Sequence, residues 1–495
     1  MSKDNQDVKI KEPSKSKAKF DNENSKLAKF FGFKKFNTTL KKEIIGGIST
    51  LLAMIYILSV EPAILSGSKS VNTGEPNLDG KGVFLATAII AFSATFTMGM
   101  VSNIPVALAP SMGVNAMFTF SVATKGIGYQ GALIATMISG VLFCIISISN
   151  LRKLLIKALP KSLHVAIGLG IGFFVAYVGI SNMGWVSNNG ENGFGGVPTA
   201  ELNSFKDYYP GIILGTLVVF GAIALHFKKF VAPIAIMMLA GFIIAIIFAN
   251  TLSDYKPIAD SFGSAKFDSS KWEYKSMFNG FANNIKSTFT NLGNKLIWTS
   301  PTMYISIFVF TILTFFDATG TLTSVMVEIN KEEKYERQIP KSAMIIDGSS
   351  TILSSIMSIS HNAVYAESCV GVSQGARTGF AAIITSIGLL LSIALFPIFQ
   401  MLPSCVSGAA TLFIGIIMIG NITQIEWKKP EISLSAFFII LFMIITYNIA
   451  VGIGLGLITY TLGCLATKKA KQVHPIIWVL DIIFIAYFVA LAFIQ

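Results

Sequence analysis

Charge, cysteine and arginine are all scarce in this chain. Only 13% of its 495 residues are charged, roughly half the share of a soluble domain, which excludes an ordinary soluble fold. The four cysteines, Cys144, Cys369, Cys405 and Cys464, lie in apolar segments without C-x-x-C spacing. That excludes a disulfide framework and a zinc site and leaves them as packing residues. Arginine occurs three times, at Arg152, Arg337 and Arg377. No Walker P-loop, H-E-x-x-H or G-x-S-x-G is present, so neither an ATP-driven pump nor a hydrolase is indicated. The expectation is a protein that is not an enzyme and takes no metal or cofactor.

What the chain has in abundance is apolar length. Hydrophobic residues make up 53% of it, with 39 Phe, and runs of the roughly 20 residues that a spanning helix needs recur from Ile44 to Ile494. The first 42 residues hold twelve Lys against five acids. Lacking an apolar stretch and a small-residue cleavage site, they do not read as a secretory signal. Lacking interleaved aromatics, they do not read as a nucleic-acid arm. A basic tail of this kind stays cytoplasmic. Basic connections recur around Arg152 to Lys161, Lys228, Lys331 to Lys341, Lys428 and Lys468 to Lys471. Placing all of them inside puts the polar stretches 67–82, 182–209 and 251–302 outside.

The last of these divides the chain into two halves of seven segments or slightly more. Because seven is odd, the second half is inserted upside down, which is an inverted-repeat plan. The expected fold is an all-α polytopic membrane protein of about 14 transmembrane segments in a 7+7 inverted repeat, with two short strand-plus-half-helix breaks. Its parts are a basic tail at 1–42, a first repeat at 43–251, an outer loop at 252–302 and a second repeat at 303–495.

The breaks fall in matching places. Between Asn103 and Ala116, two prolines five residues apart, Pro105 and Pro110, forbid a continuous helix. Between Ser358 and Gly371, a β-favouring stretch precedes Glu367 and small residues. Non-helical backbone survives at membrane depth only where protein covers it or it lines a cavity. The two breaks therefore point to a binding site.

An acid inside a span costs roughly 2.5 to 3.5 kcal/mol on insertion scales, so each asks for a reason. Glu367 opens the second half-helix, with Ser368 beside it, and could accept hydrogen bonds from a planar ligand with adjacent N–H groups; the competing reading is a helix cap. Asp317 has Thr314 and Thr321 on its own helix face, which makes it a candidate for proton coupling, since desolvation favours the protonated carboxyl. Asn115 mirrors Glu367 in the first half and offers an amide donor and acceptor. Asp347 is expected to hydrogen-bond the broken strand or support Asp317, and His361 could line the cavity. Glu61, before Pro62, reads as interfacial. Asp481 reads as lying near a helix end or packed in a helix pair. Arg377 is expected to snorkel to the surface, and Gly168, Gly170 and Gly172 to allow close helix approach.

At these motifs the sequence resembles the nucleobase:cation symporters of the xanthine/uracil permease superfamily, specifically the azaguanine-type guanine, hypoxanthine and adenine permeases. The resemblance runs from Phe36 to the C-terminus. It rests on Thr39 to Thr50 with Met54 to Leu58, on Gly113 to Ala116, on Phe315 to Thr321, and on Tyr365 to Val372 with Gly375 to Gly379. It implies a core domain (about 43–150 and 303–400) and a gate domain (about 160–251 and 403–495), with a purine held between the two half-helices. It also implies proton-coupled uptake at the cell membrane. Asn115 and Glu367 match the family's binding positions, and Asp317 its acidic motif. Two departures stand out: Thr314 where the family often has a second acid, and His361 to Val364 in place of a Thr-rich strand. The expected partners are a purine nucleobase, membrane lipid and a second copy in a homodimer. The alternatives are an anion transporter of the same architecture and a non-transporting membrane scaffold or receptor.

Overall fold

Segments this apolar satisfy their backbone as helices, and the computed structural model is mostly helical over the residues it describes. It describes residues 26–68, 77–123, 127–149, 160–189, 199–202, 205–267, 273–330, 338–446 and 448–494. The tail before residue 26 and the basic connections at 150–159 and 331–337 lie outside the described residues. Among the described residues, ten helices are long and apolar enough to cross a membrane, with shorter apolar helices at Met112–Ala123, Pro430–Ile445 and Pro475–Ala486.

A short α1 (Lys26–Phe31) leads into the first span, which is broken at Ile55 and Tyr56 into α2 (Leu40–Met54) and α3 (Ile57–Leu65). Then come α4 (Gly80–Thr97), strand β1 (Leu108–Pro110), half-helix α5 (Met112–Ala116), α6 (Gly128–Ile148) and α7 (Lys161–Asn182). A hairpin of β2 (Val186–Asn189) and β3 (Thr199–Leu202) precedes α8 (Phe205–Phe227) and α9 (Pro233–Thr251). The last two expose Leu217, Phe220, Leu239 and Ile243, an apolar face suited to lipid.

The stretch 252–302, read as a polar loop, folds onto the protein. It contains α10 (Lys256–Phe262) and α11 (Tyr274–Thr290), and α11 buries Met277, Gly280, Asn284 and Thr288, one side of a helix. Asn284 clasps the start of α4, accepting from the Asp79 N–H at 3.0 Å and donating to its carbonyl at 3.1 Å. The second half comprises α12 (Pro301–Asn330), α13 (Lys341–Ile356), β4 (Asn362–Val364), α14 (Ser368–Ser373), α15 (Gly379–Leu391), α16 (Ser404–Ile419), α17 (Pro430–Ile445), α18 (Ile449–Ala466) and α19 (Pro475–Ile494).

Packing mixes the halves. α6 lies on α12 and α13, while α2 and α4 lie on α15; separately, α7 lies on α16 and α17, and α17 on α18. Close approach needs glycine at particular points. A Cβ on Gly170 would meet Met443 Sδ at 2.4 Å and one on Gly172 would meet Met418 Cβ at 2.7 Å, whereas Gly168 has open space. Asp481 takes a hydrogen bond from Thr461 across a helix pair at 2.5 Å.

Arg377 departs from expectation. It is 5% exposed, and its Nη1 donates to the Val372 and Ala376 carbonyls at 2.6 and 2.7 Å. Both carbonyls lie at or beyond the C-terminus of α14, where no further helical turn covers them and Val372 accepts only the N–H groups of the closing turn, so the guanidinium finds acceptors there that the surface does not offer. Nearby, Glu43 of α2 accepts backbone N–H groups of Arg377, Thr378 and Ala381, capping α15.

The tightest crossing is Gly99 against Gly379, where a Cβ on Gly379 would sit 1.9 Å from the Gly99 carbonyl oxygen. Gly379→Ala must separate the two backbones at a cost of ~1–3 kcal/mol. Its midpoint of thermal unfolding in detergent is expected to fall below wild type, while Gly263→Ala, with nothing within 4 Å of the added carbon, leaves the midpoint unchanged.

Candidate substrate site

The two breaks meet. β1 and β4 pair antiparallel, with Leu108 opposite Val364, Ala109 opposite Ala363 and Pro110 opposite Asn362. The ladder continues beyond the strands: Tyr365 N–H donates to the Ala107 carbonyl and Ser111 N–H to the His361 carbonyl, both at 2.9 Å. This register turns the backbone groups of residues 108, 110, 362 and 364 outward. Pro110 has no N–H to lose there. The Thr95 hydroxyl serves Leu108, accepting its N–H at 2.9 Å and donating to its carbonyl at 3.0 Å. On the other edge, Thr351 of α13 donates to the Asn362 carbonyl at 2.8 Å. Asp347, one turn earlier on the same face, lies toward the Val364 N–H without closing a hydrogen bond.

α13 is a 16-residue helix rich in Ser and Thr, and this polar face is what the edge of β4 needs.

Around this pair the expected residues gather. Glu367 is half-buried at the start of α14 next to exposed Ala366. Its side chain makes no capping bond; instead Tyr56, at the break of the first span, donates to Oε1 at 2.5 Å. Ser368 Oγ accepts the Ala107 N–H at 3.0 Å, tying α14 to the first break. Asp317 on α12 accepts from Ser111 Oγ at 2.8 Å, at the head of α5.

His361 is fully buried, with Nδ1 2.9 Å from Thr351 Oγ1 and 3.4 Å from Thr314 Oγ1. Both threonines already donate to carbonyls, so Nδ1 carries the proton and Nε2 is left as an acceptor without a partner.

Asn115 is fully enclosed. Its Nδ2 donates to Glu61 Oε2, and its Oδ1 accepts from Ser360 Oγ. Glu61 is therefore not interfacial; it is 0% exposed. Pro62 does not end the span: α3 stays helical around it through Leu65, and the break of the first span lies earlier, at Ile55 and Tyr56.

Sequence reasoning missed Tyr56 and Glu61 as site residues, along with the edge groups Thr95 and Thr351 and the linkers Ser111 and Ser360. One signal was available: an acid and a proline in an otherwise apolar run mark a site as well as a boundary. The serines and threonines had no signal of their own.

The xanthine/uracil Permease family model matches residues 41–455. The guanine/hypoxanthine permease PbuG of Bacillus subtilis is 33% identical over 475 residues, covering 93% of this chain and 99% of that protein. The adenine permease AdeP of Escherichia coli is 28% identical, covering 93% and 95%. Among solved structures, the transmembrane domain of the cyanobacterial bicarbonate transporter BicA superposes with a TM-score of 0.56 at 14% identity, covering 84% of this chain and 97% of that one. SLC26A9 superposes at 0.58 with 12% identity, covering 90% and 68%. At such identities these two speak for the fold alone. By the span and strength of the sequence matches, the chain belongs to the xanthine/uracil permease family.

Proposed function

We propose that the chain is a secondary transporter of the cell membrane that imports purine nucleobases, guanine or hypoxanthine foremost, by proton symport with alternating access. The observation that carries this is Glu367: a half-buried acid where two half-helices meet, its side chain making no capping bond and oriented by one phenol. Such a group suits the adjacent ring N–H donors of an uncharged heterocycle. The break gathers the acids Glu61, Asp317, Asp347 and Glu367, and none of the bonds described around it comes from the lysine or arginine that an anion substrate calls for.

In this reading Glu367 clamps the base, Ser368 and His361 border it, and Asn115 addresses it from the first half. Asp317, supported by Thr314 and Asp347, takes up and releases the coupling proton. The packing supports a core of α2–α6 with α12–α15 working against a gate of α7–α9 with α16–α19, the core carrying the site between the two faces of the membrane. The basic tail faces the cytoplasm.

Three substitutions test this. Glu367→Gln places an amide N–H where a ring N–H must be accepted. Uptake of labelled hypoxanthine or guanine is expected to vanish at unchanged membrane abundance, and near-normal uptake removes Glu367 from the site. Asp317→Asn is expected to give uptake that no longer responds to an imposed proton gradient in vesicles; a wild-type pH response refutes the coupling role. Tyr56→Phe leaves the carboxyl but frees its orientation. The KM for base should rise about tenfold, the effect of one hydrogen bond to a charged group, with a smaller change in maximal rate.

A further inference from the structure

Glu61 has no expected place in the site, yet it is fully buried on a helix, α3, that carries no basic residue. Its partners are a ring of two polar groups. Asn115 Nδ2 donates to Oε2, Ser360 Oγ donates to Asn115 Oδ1, and Ser360 Oγ lies 3.4 Å from Oε1. Asn115 belongs to the first half and Ser360 to the second, so the ring spans both breaks.

Counting hydrogens decides what the ring can do. Ser360 has one hydroxyl hydrogen for two acceptors, Glu61 Oε1 and Asn115 Oδ1. If Glu61 is ionised, the charged acceptor draws that hydrogen; the amide nitrogen stays on Glu61, and Asn115 Oδ1 is released as an acceptor. If Glu61 is protonated, the ring closes head to tail: carboxyl to serine, serine to amide oxygen, amide nitrogen to carboxyl. It closes equally well in the reverse sense, with the amide turned over.

We propose that Glu61 is a proton-linked positioning residue that sets whether Asn115 offers an acceptor or a donor to the base, and so biases selection between 6-amino and 6-oxo purines. The proposal rests on the purine reading above. An exocyclic amino group needs an acceptor and an exocyclic oxygen needs a donor, so ionised Glu61 favours the 6-amino base and protonated Glu61 relieves the bias against the 6-oxo base.

Among the described residues, the ionisable side chains nearest in sequence to Ser360 are His361 beside it and Tyr365 just beyond β4, whose hydroxyl donates to the Pro110 carbonyl at 2.6 Å. Of the other elements packed on α3, α4 carries Lys81, bonded to Ser276, and α16 carries the buried thiol of Cys405; β1 and α5 carry no ionisable side chain.

The test is competition of labelled hypoxanthine uptake by unlabelled guanine and by unlabelled adenine, at neutral and at acidic external pH. A proton on Asp317 changes uptake of every base alike and cancels in the ratio of the two inhibition constants. For the wild type, acidification should move that ratio toward guanine by about tenfold, the effect of one hydrogen bond exchanged. Glu61→Gln keeps a closed neutral ring, so its ratio should be flat with pH and match the acidic wild-type value.

Ser360→Ala opens the ring without touching the acid. It should flatten the response too, and it carries the test if Glu61→Gln fails to reach the membrane. A wild-type ratio indifferent to pH, or a pH response kept in either variant, overturns the proposal. Wild-type protein that takes up no purine overturns the functional reading instead.

Discussion

The constraint on which the rest depends is that backbone polar groups in a bilayer must find partners within the protein. Each break leaves an extended stretch that no helix satisfies. The solution is mutual: β1 and β4, some 250 residues apart in sequence by their register, pair with each other. The outward edges of this two-stranded sheet then need donors and acceptors, which Thr95 and Thr351 supply from flanking helices. α13 is polar for the same reason. What reads in isolation as a mediocre transmembrane segment is the wall that covers a strand edge.

Much of this was legible, and the rest was not for identifiable reasons. Pro105 and Pro110 announce the first break through a property of single residues, a missing N–H and a fixed φ. Glu367 and Asp317 announce themselves through the cost of an acid among apolar neighbours. Arg377 follows the same logic to the wrong place: the carbonyls at the end of α14 offer it partners that only three-dimensional contact reveals. The helices within 252–302 escape a search for apolar runs because α11 is amphipathic, not wholly apolar, and its buried side answers α4. Ser111 and Ser360 act through position alone, and a serine in a small-residue stretch has no periodicity or cost by which to be noticed.

The first span has a larger part than either half-helix implies. Its break at Tyr56 delivers a phenol to Glu367, and five residues later the same segment delivers Glu61 to Asn115. The candidate contact of the second half and that of the first are thus both held by one segment. Neither contact can shift without disturbing α3, which makes it a mechanical link between the paired breaks.

That link bears on how such a site could move. Strand pairing, the Ser368 bond to Ala107, the Ser111 bond to Asp317 and the two contacts from the first span join six elements around one locus. A rearrangement that opened the site by pulling β1 from β4 would strand backbone groups in a medium without water, at several kcal/mol for each. A displacement of the locus as one body leaves every such bond intact and asks only that side chains slide at its boundary. The boundary available is the one between the bundle containing the breaks and the helices α7, α16 and α17, whose own mutual contacts are extensive. The glycines that let those outer helices approach one another, Gly170 and Gly172, lie on the far side of that boundary from the site. For the transport cycle proposed above, the same requirement that forces the breaks to pair therefore also favours carriage of an intact site over its dismantling.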